Sequence, residues 1–332
     1  MTTNLIPPAI IFILGAVLIP VLKGKIKSVY MLLIPVVAGY VLMNLSHGNT
    51  WVYQFWGYEL ILGRIDKLSM VFGIIFTLMA FLGILFALKV EDNLQHVSGI
   101  IYAGATLGVV FAGDFLSLYI FWEIMAVSST FLVLAARTKE AKESGFRYIL
   151  QHIIGGLFLL AGIMLYYKNN GTLAFDYIGL NDTGSYFIFI GVALNAAAIP
   201  LHAWLPDAYP NGTPTSTVFL SAFTTKSAVY MLARTFYGTE LLIWIGAFMV
   251  FVPIFYAVIE NDIRRVLAYS LLNQIGFMLV GIGIGSELAI NGAVAHAFCH
   301  ILYKGLLFMS AGAVLQMTGK IKCTEIGGLY KT

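Results

Sequence analysis

The sequence predicts an all-α polytopic membrane protein of about eleven transmembrane helices, and three observations carry that expectation. Hydrophobic residues make up 60% of the 332 positions and charged residues 11%, whereas a soluble domain carries about 25% charged side chains. The apolar residues fall in runs bounded by charges, Pro or Gly, each near the ~20 residues that a bilayer core requires. Finally, Glu123, Lys226 and Lys304 lie near the middle of such runs. A charge at that depth costs about 2.5–3.5 kcal/mol and as a rule faces a polar interior or an ion or proton pathway.

In chain order the runs place spans at about 5–22, 28–45, 65–88, 96–113, 115–136, 147–167, 186–205, 214–237, 240–260, 265–284 and 288–316. No basic residue precedes the first run, so Met1 to Pro8 opens a span and is not a cleaved signal. What lies between the spans reads as short loops, with no soluble domain or long linker. Assigning loops alternately to the two sides gives 13 Lys and Arg on one and 4 on the other. The basic excess marks the cytoplasmic side, which puts the N-terminus outside and the C-terminus inside.

The formal charge of +3 is spread over loops and forms no basic patch, which argues against nucleic acid as a partner. Cys299 lies in an apolar span and Cys323 in a polar tail, so no disulfide is expected between them. No haem or iron-sulfur motif is present, and no cofactor is implied.

Four segments carry candidate chemistry. Glu123 follows the interfacial Asp114 into an apolar span and reads either as a carboxyl that gains and loses a proton or as a structural carboxyl bonded to a neighbouring helix. Pro200 falls within the seventh run, close after Asn195 and before His202 and Asp207. It removes a helix hydrogen bond, giving either a broken helix that lines a polar cavity or a simple kink. Lys226 stands among Ser221, Thr224, Thr225, Ser227 and Tyr230, about twelve residues from either end of its run. It is too deep to snorkel, and acts as a proton carrier or as half of a structural ion pair. His296, His300 and Lys304 recur every four residues and share one helix face. That seam suits a proton relay along a water wire. Two histidines with Cys299 nearby also admit a metal site, although no further ligands are evident.

The strings Phe-Trp-Glu at 121–123, Pro-Leu-His-Ala-Trp-Leu-Pro-Asp-Ala at 200–208, Pro-Thr at 214–215, Asp-Ile-Arg-Arg-Val-Leu-Ala-Tyr-Ser at 262–270 and His-Ile-Leu-Tyr-Lys-Gly-Leu-Leu-Phe at 300–308 resemble the antiporter-like subunits shared by respiratory complex I, membrane-bound hydrogenases and Mrp-type Na+/H+ antiporters. The resemblance runs from about residue 60 onward and is strongest to the D-type member of the Mrp group. It implies a fold of inverted five-helix repeats. On that pattern 1–90 forms three N-terminal helices, 91–238 a first repeat with one half-channel, and 239–332 a partial second repeat ending before its own broken helix.

The resemblance also implies a proton path through Glu123, Lys226, His296, His300 and Lys304. The family's seventh-helix lysine, the partner of its glutamate, is replaced by Asn195. The sequence stops where the family enters a twelfth helix, and a Lys304 seam exposed to lipid would be costly, which points to a fragment or to a chain completed by partners. The implied setting is an energy-transducing membrane, in bacteria the plasma membrane. Other small hydrophobic subunits are the implied partners, and H+ and Na+ the implied ions. Two other readings stay open: a proton-pumping subunit of an NADH dehydrogenase-like or hydrogenase complex, and a non-conducting scaffold.

Overall fold

A computed structural model describes residues 5–329. The sequence readings of the first residues and of Lys331 lie outside the described residues. In chain order come α1 (Pro8–Val17), α2 (Gly24–Met43), β1 (Gly48–Phe55), β2 (Tyr58–Ile65), α3 (Lys67–Phe86), α4 (Asn93–Phe111), α5 (Phe115–Leu134), α6 (Lys139–Asn170) and α7 (Thr183–Asn195). They are followed by α8 (Trp204–Asn211), α9 (Pro214–Ala222), α10 (Thr224–Thr235), α11 (Glu240–Ile259), α12 (Ile263–Ile284) and α13 (Glu287–Thr318). Eight of these, α2 to α6 and α11 to α13, are long and apolar enough to cross a membrane, and α1 and α7 are shorter apolar helices.

Polar residues at the ends of the apolar runs set where helices start and stop. Asp66, Asp114, Thr138, Asp182, Thr213, Asp262 and Ser286 each accept a backbone N–H in the first turn of the helix they precede, satisfying donors that have no partner within the helix. Gly171, Gly285 and Gly319 end α6, α12 and α13 with positive φ, the left-handed conformation glycine adopts without a steric penalty. Helices α11 and α12 pack closely at Gly246 and Gly276, where a Cβ on either would come within 2.7 Å of the facing carbonyl oxygen, the small-residue contact that lets membrane helices approach.

Three features depart from the sequence reading. Residues 48–65, expected to belong largely to a loop, form an antiparallel hairpin in which Phe55 pairs with Tyr58 across a Trp56-Gly57 turn. Both turn residues have positive φ, 47° and 82°, as a two-residue type I′ turn requires. Helix α6 begins at Lys139, eight residues before the expected 147. The eighth span is two helices, interrupted at Phe223 (φ −104°, ψ −69°). No Pro or Gly marks that break; it lies where a run of Ser and Thr side chains competes for backbone hydrogen bonds.

Loop contacts divide the molecule into two ends. At one, the Gly113 amide bonds to Ile61, the Phe115 amide to Leu173, the Ile178 amide to Thr235 and the Gly238 amide to Ile282. At the other, Arg137 pairs with Asp92 at 3.2 Å, Arg147 with Asp207 at 2.7 Å, and the Asp262 loop bridges to Lys322. Most of the loop Lys and Arg fall at this second end, called the basic end below.

The first end is latched by charge. Arg234, nearly buried near the end of α10, makes a two-pronged contact with Asp66 (2.7 and 2.9 Å), and Arg64 bridges Asp66 to Asp176. Burial alone would push the Asp66 carboxyl up. Hydrogen bonding and charge from Arg234, the Ser69 amide and the Arg64 charge outweigh burial and hold it below its ordinary value of 3.8. A lowered folded value means that the stabilisation is complete above pH 3.8 and is lost as pH falls through that lower value. Asp66→Ala removes both the helix cap and the partner of Arg234. It is expected to lower stability by about 2–3 kcal/mol, measured by thermal unfolding in detergent, with the difference from wild type vanishing in strong acid.

Candidate functional site: a buried polar seam

The seventh span is broken as Pro200 predicts. Helix α7 stops at Asn195, residues 196–203 form an irregular turn in which Ala197 has a φ of 55°, and α8 starts at Trp204. Carbonyls at a mid-membrane helix end need donors, and Leu194 accepts from the Ala197 amide and from the Trp204 indole, each at 3.0 Å. Asn195, where the family resemblance implies a lysine, is fully buried. Neither its amide nitrogen nor its oxygen has a hydrogen-bond partner among the described residues. Asp207 anchors α8 to α6 through Arg147. His202, beside it, opens onto a cleft of about 270 Å3 that Arg265 and Tyr269 also line.

Lys226 is completely buried. The break at Phe223 explains how it is held: the Ser221 carbonyl, which an unbroken helix would pair with the amide four residues on, instead accepts from Lys226 Nζ at 2.6 Å. Among the described residues no carboxylate pairs with this ammonium. Its electrostatic neighbours are His296, His300 and Lys304, carried by α13, which packs against α9, α10 and α12.

The α13 seam faces inward. His300 and Lys304 are buried and His296 half-buried: α12 covers Lys304, whose Nζ donates to Ser270 Oγ at 2.9 Å. The His296 and His300 rings lie 6.0 Å apart, with Tyr303 edge-on to His300 at 5.0 Å. Neither nitrogen of His300 has a partner among the described residues, nor does His296 Nε2. Cys299 points outward and is exposed. No three His, Cys, Asp or Glu side chains gather to hold a metal among the described residues.

Glu123 stands apart from this group. Its Oε1 is buried without a partner among the described residues and lies against Gly156 of α6, where an added Cβ would meet it at 2.1 Å. On its other side a groove of about 470 Å3 runs between α4 and α5, lined otherwise by apolar side chains and serines. No ion pair involves Glu123 among the described residues.

Sequence reading missed a polar cluster between Glu123 and Lys226. His152 stacks on Tyr148 and meets Trp204 edge-on, and the Tyr148 hydroxyl donates to Ser129 Oγ at 2.9 Å. The Tyr102 hydroxyl lies 2.5 Å from Thr224 Oγ1 and accepts from the Thr224 amide, two residues from Lys226. Among the described residues, His152 Nε2, Tyr209 OH and Thr225 Oγ1 in the same region have no hydrogen-bond partner. The signal was the late start given to the sixth span: α6 begins at Lys139, so His152 lies about 20 Å along the helix and not at an interface.

A family described as NADH:quinone oxidoreductase/Mrp antiporter, transmembrane, matches residues 112–332. The chain belongs to this family. The D component of the Na(+)/H(+) antiporter of Alkalihalophilus pseudofirmus is 27% identical over 244 residues, covering 68% of this chain and 50% of that protein. The N component of the NADH-quinone oxidoreductase of Desulforudis audaxviator is 29% identical over 325 residues, covering 87% of this chain and 64% of its own length. Among solved structures, a chain of the membrane-bound sulfane sulfur reductase, an archaeal respiratory membrane complex, superposes with a TM-score of 0.86 at 25% identity, over 97% of this chain and 73% of that one. The chain thus spans half to about two-thirds of the length of these curated relatives. It is an integral membrane protein of the antiporter-like kind.

Proposed function

We propose that the chain is a proton-translocating subunit of a multi-subunit cation/proton antiporter, and that protons pass through Lys226, His300, His296 and Lys304. One observation carries the reading: a fully buried lysine, whose one hydrogen-bond acceptor among the described residues is a carbonyl freed by a helix break, lies within electrostatic reach of two histidines and a second lysine. Each of these groups can hold or release a proton, and a lysine can do so without leaving its place. The partnerless nitrogens of His300 and His296 give water somewhere to bind between them. The cleft at His202 and Asp207 opens the broken helix to the basic end, here taken as cytoplasmic, and serves as the proton entrance. Glu123, behind the Tyr148 and His152 cluster, forms the outer station on the other side of Lys226. Asn195 cannot be charged, so the Glu123 proton is governed by that cluster and not by a neighbouring lysine.

The likeness to a respiratory membrane complex and to a component of an NADH-quinone oxidoreductase favours a second reading, in which the same path is driven by a partner's redox chemistry. Vesicles containing the intact complex separate the two. If Na+ or K+ collapses an imposed pH gradient, antiport holds. A gradient formed only on adding an electron donor, with no response to either cation, moves the chain to the redox-driven class. No proton movement under either condition rejects both.

A further inference from the structure

The structure holds a second charged site that the proton path does not use. At the basic end a pocket of about 750 Å3 lies between the α1–α2 turn and the α3–α4 turn, lined by Lys23, Lys25, Lys27 and Lys89 against the single carboxylate of Glu91. Lys27 donates to Asn93 at 2.7 Å, which fixes one wall. Lys23, Lys25 and Lys89 are exposed and make no ion pair among the described residues. Four lysines lining one cavity at the end of a membrane-crossing helix give it a net positive charge suited to an anion at the height of the headgroups.

What lies beneath the pocket identifies the anion's source. The same two helices, α2 and α3, bound an apolar groove of about 340 Å3 lined by Pro35, Gly39, Thr77 and Phe81, among others. Met31 lines the pocket and Pro35, one turn further along α2, lines the groove, a step of about 6 Å on one helix face. Phe81 near the end of α3 lines the groove, and Leu88, just past the end of that helix, lines the pocket. Outward-facing Val21, Ile26 and Val29 extend the apolar surface around the pocket's rim. We propose that this pocket and groove together bind one anionic phospholipid, its phosphate among the lysines and an acyl chain along the groove. A free phosphate would use the pocket without the groove, and a zwitterionic lipid the groove without the net charge.

The test is lipid retention on the full chain in its native assembly, read by native mass spectrometry after exchange into micelles with phosphatidylglycerol or phosphatidylcholine of the same chains. Wild type should retain phosphatidylglycerol over phosphatidylcholine by at least about tenfold, since each basic residue near an anionic headgroup contributes about fivefold. Lys23→Gln, Lys25→Gln and Lys89→Gln combined should abolish the preference. Gly39→Leu, whose Cβ has room, with Thr77 Cγ2 its nearest neighbour at 3.7 Å, should fill the groove and lower retention with every lysine in place. Equal retention of both lipids, a preference that survives the triple variant, or unchanged retention in Gly39→Leu overturns the proposal. So does complete displacement by inorganic phosphate, which would reduce the site to an anion pocket, or occupation of this face by another subunit at full stoichiometry.

Discussion

Lys226→Ala is expected to abolish proton translocation, by about 100-fold or more if Lys226 is an obligatory carrier, while the complex assembles at wild-type level. Among the described residues, no group hydrogen-bonded to Lys226 or next to it in the chain can take its place as a carrier. Lys226 Nζ is completely buried, its hydrogen bond goes to a carbonyl that cannot itself carry a proton, and Thr224 and Thr225 beside it offer only hydroxyls. Two further variants separate proton transfer from charge and shape. Lys226→Met keeps the unbranched volume, removes a desolvated ammonium and should match or exceed wild type in thermal stability. Lys226→Arg keeps the positive charge but cannot release its proton, so it should fail as completely as alanine in gradient assays on vesicles. Transport by Lys226→Arg would show that a fixed charge suffices, and transport by Lys226→Met would remove the residue from the path.

The features around Lys226 differ in how far the sequence reveals them. The apolar runs could be read because membrane helices must be long and apolar all along, and Lys226 and the His296–His300–Lys304 register stood out against that background. Pro200 marked the first helix break because a missing N–H is a local, visible property. The second break, at Phe223, could not be read. It lies between Ala222 and Thr224 with neither Pro nor Gly, and the Ser and Thr side chains that compete for backbone hydrogen bonds there also occur inside unbroken helices. The hairpin at 48–65 was missed because β1 is largely exposed, neither strand alternates cleanly between buried and exposed positions, and its turn is Trp-Gly where Asn-Gly would have announced it. The Tyr148–His152–Trp204 cluster joins α6 to α8 across fifty residues, and its members look like ordinary interfacial aromatics one at a time. The direction of the Lys304 side chain followed from the same limitation: the register gives a face, but which helix covers the face, here α12 with Ser270, is a property of the fold.

His300→Leu should stop proton passage along α13 and leave the protein as stable as wild type or more so. The two expectations come from one observation. His300 is fully buried, and neither ring nitrogen has a hydrogen-bond partner among the described residues; a group left in that state costs about 1–3 kcal/mol, and an apolar side chain of similar size removes the penalty. A histidine retained for packing would behave in the opposite way, since its replacement would lose the edge-on contact with Tyr303 with nothing gained. Thermal unfolding in detergent and gradient formation in vesicles, measured on the same preparations, therefore decide between the roles. Transport lost with stability held or raised by about 1 kcal/mol places His300 in the path between Lys226 and Lys304. Transport and stability falling together make it a structural residue, and the proposed route from Lys226 to Lys304 must then run elsewhere, through His296 and the half-buried face of α13.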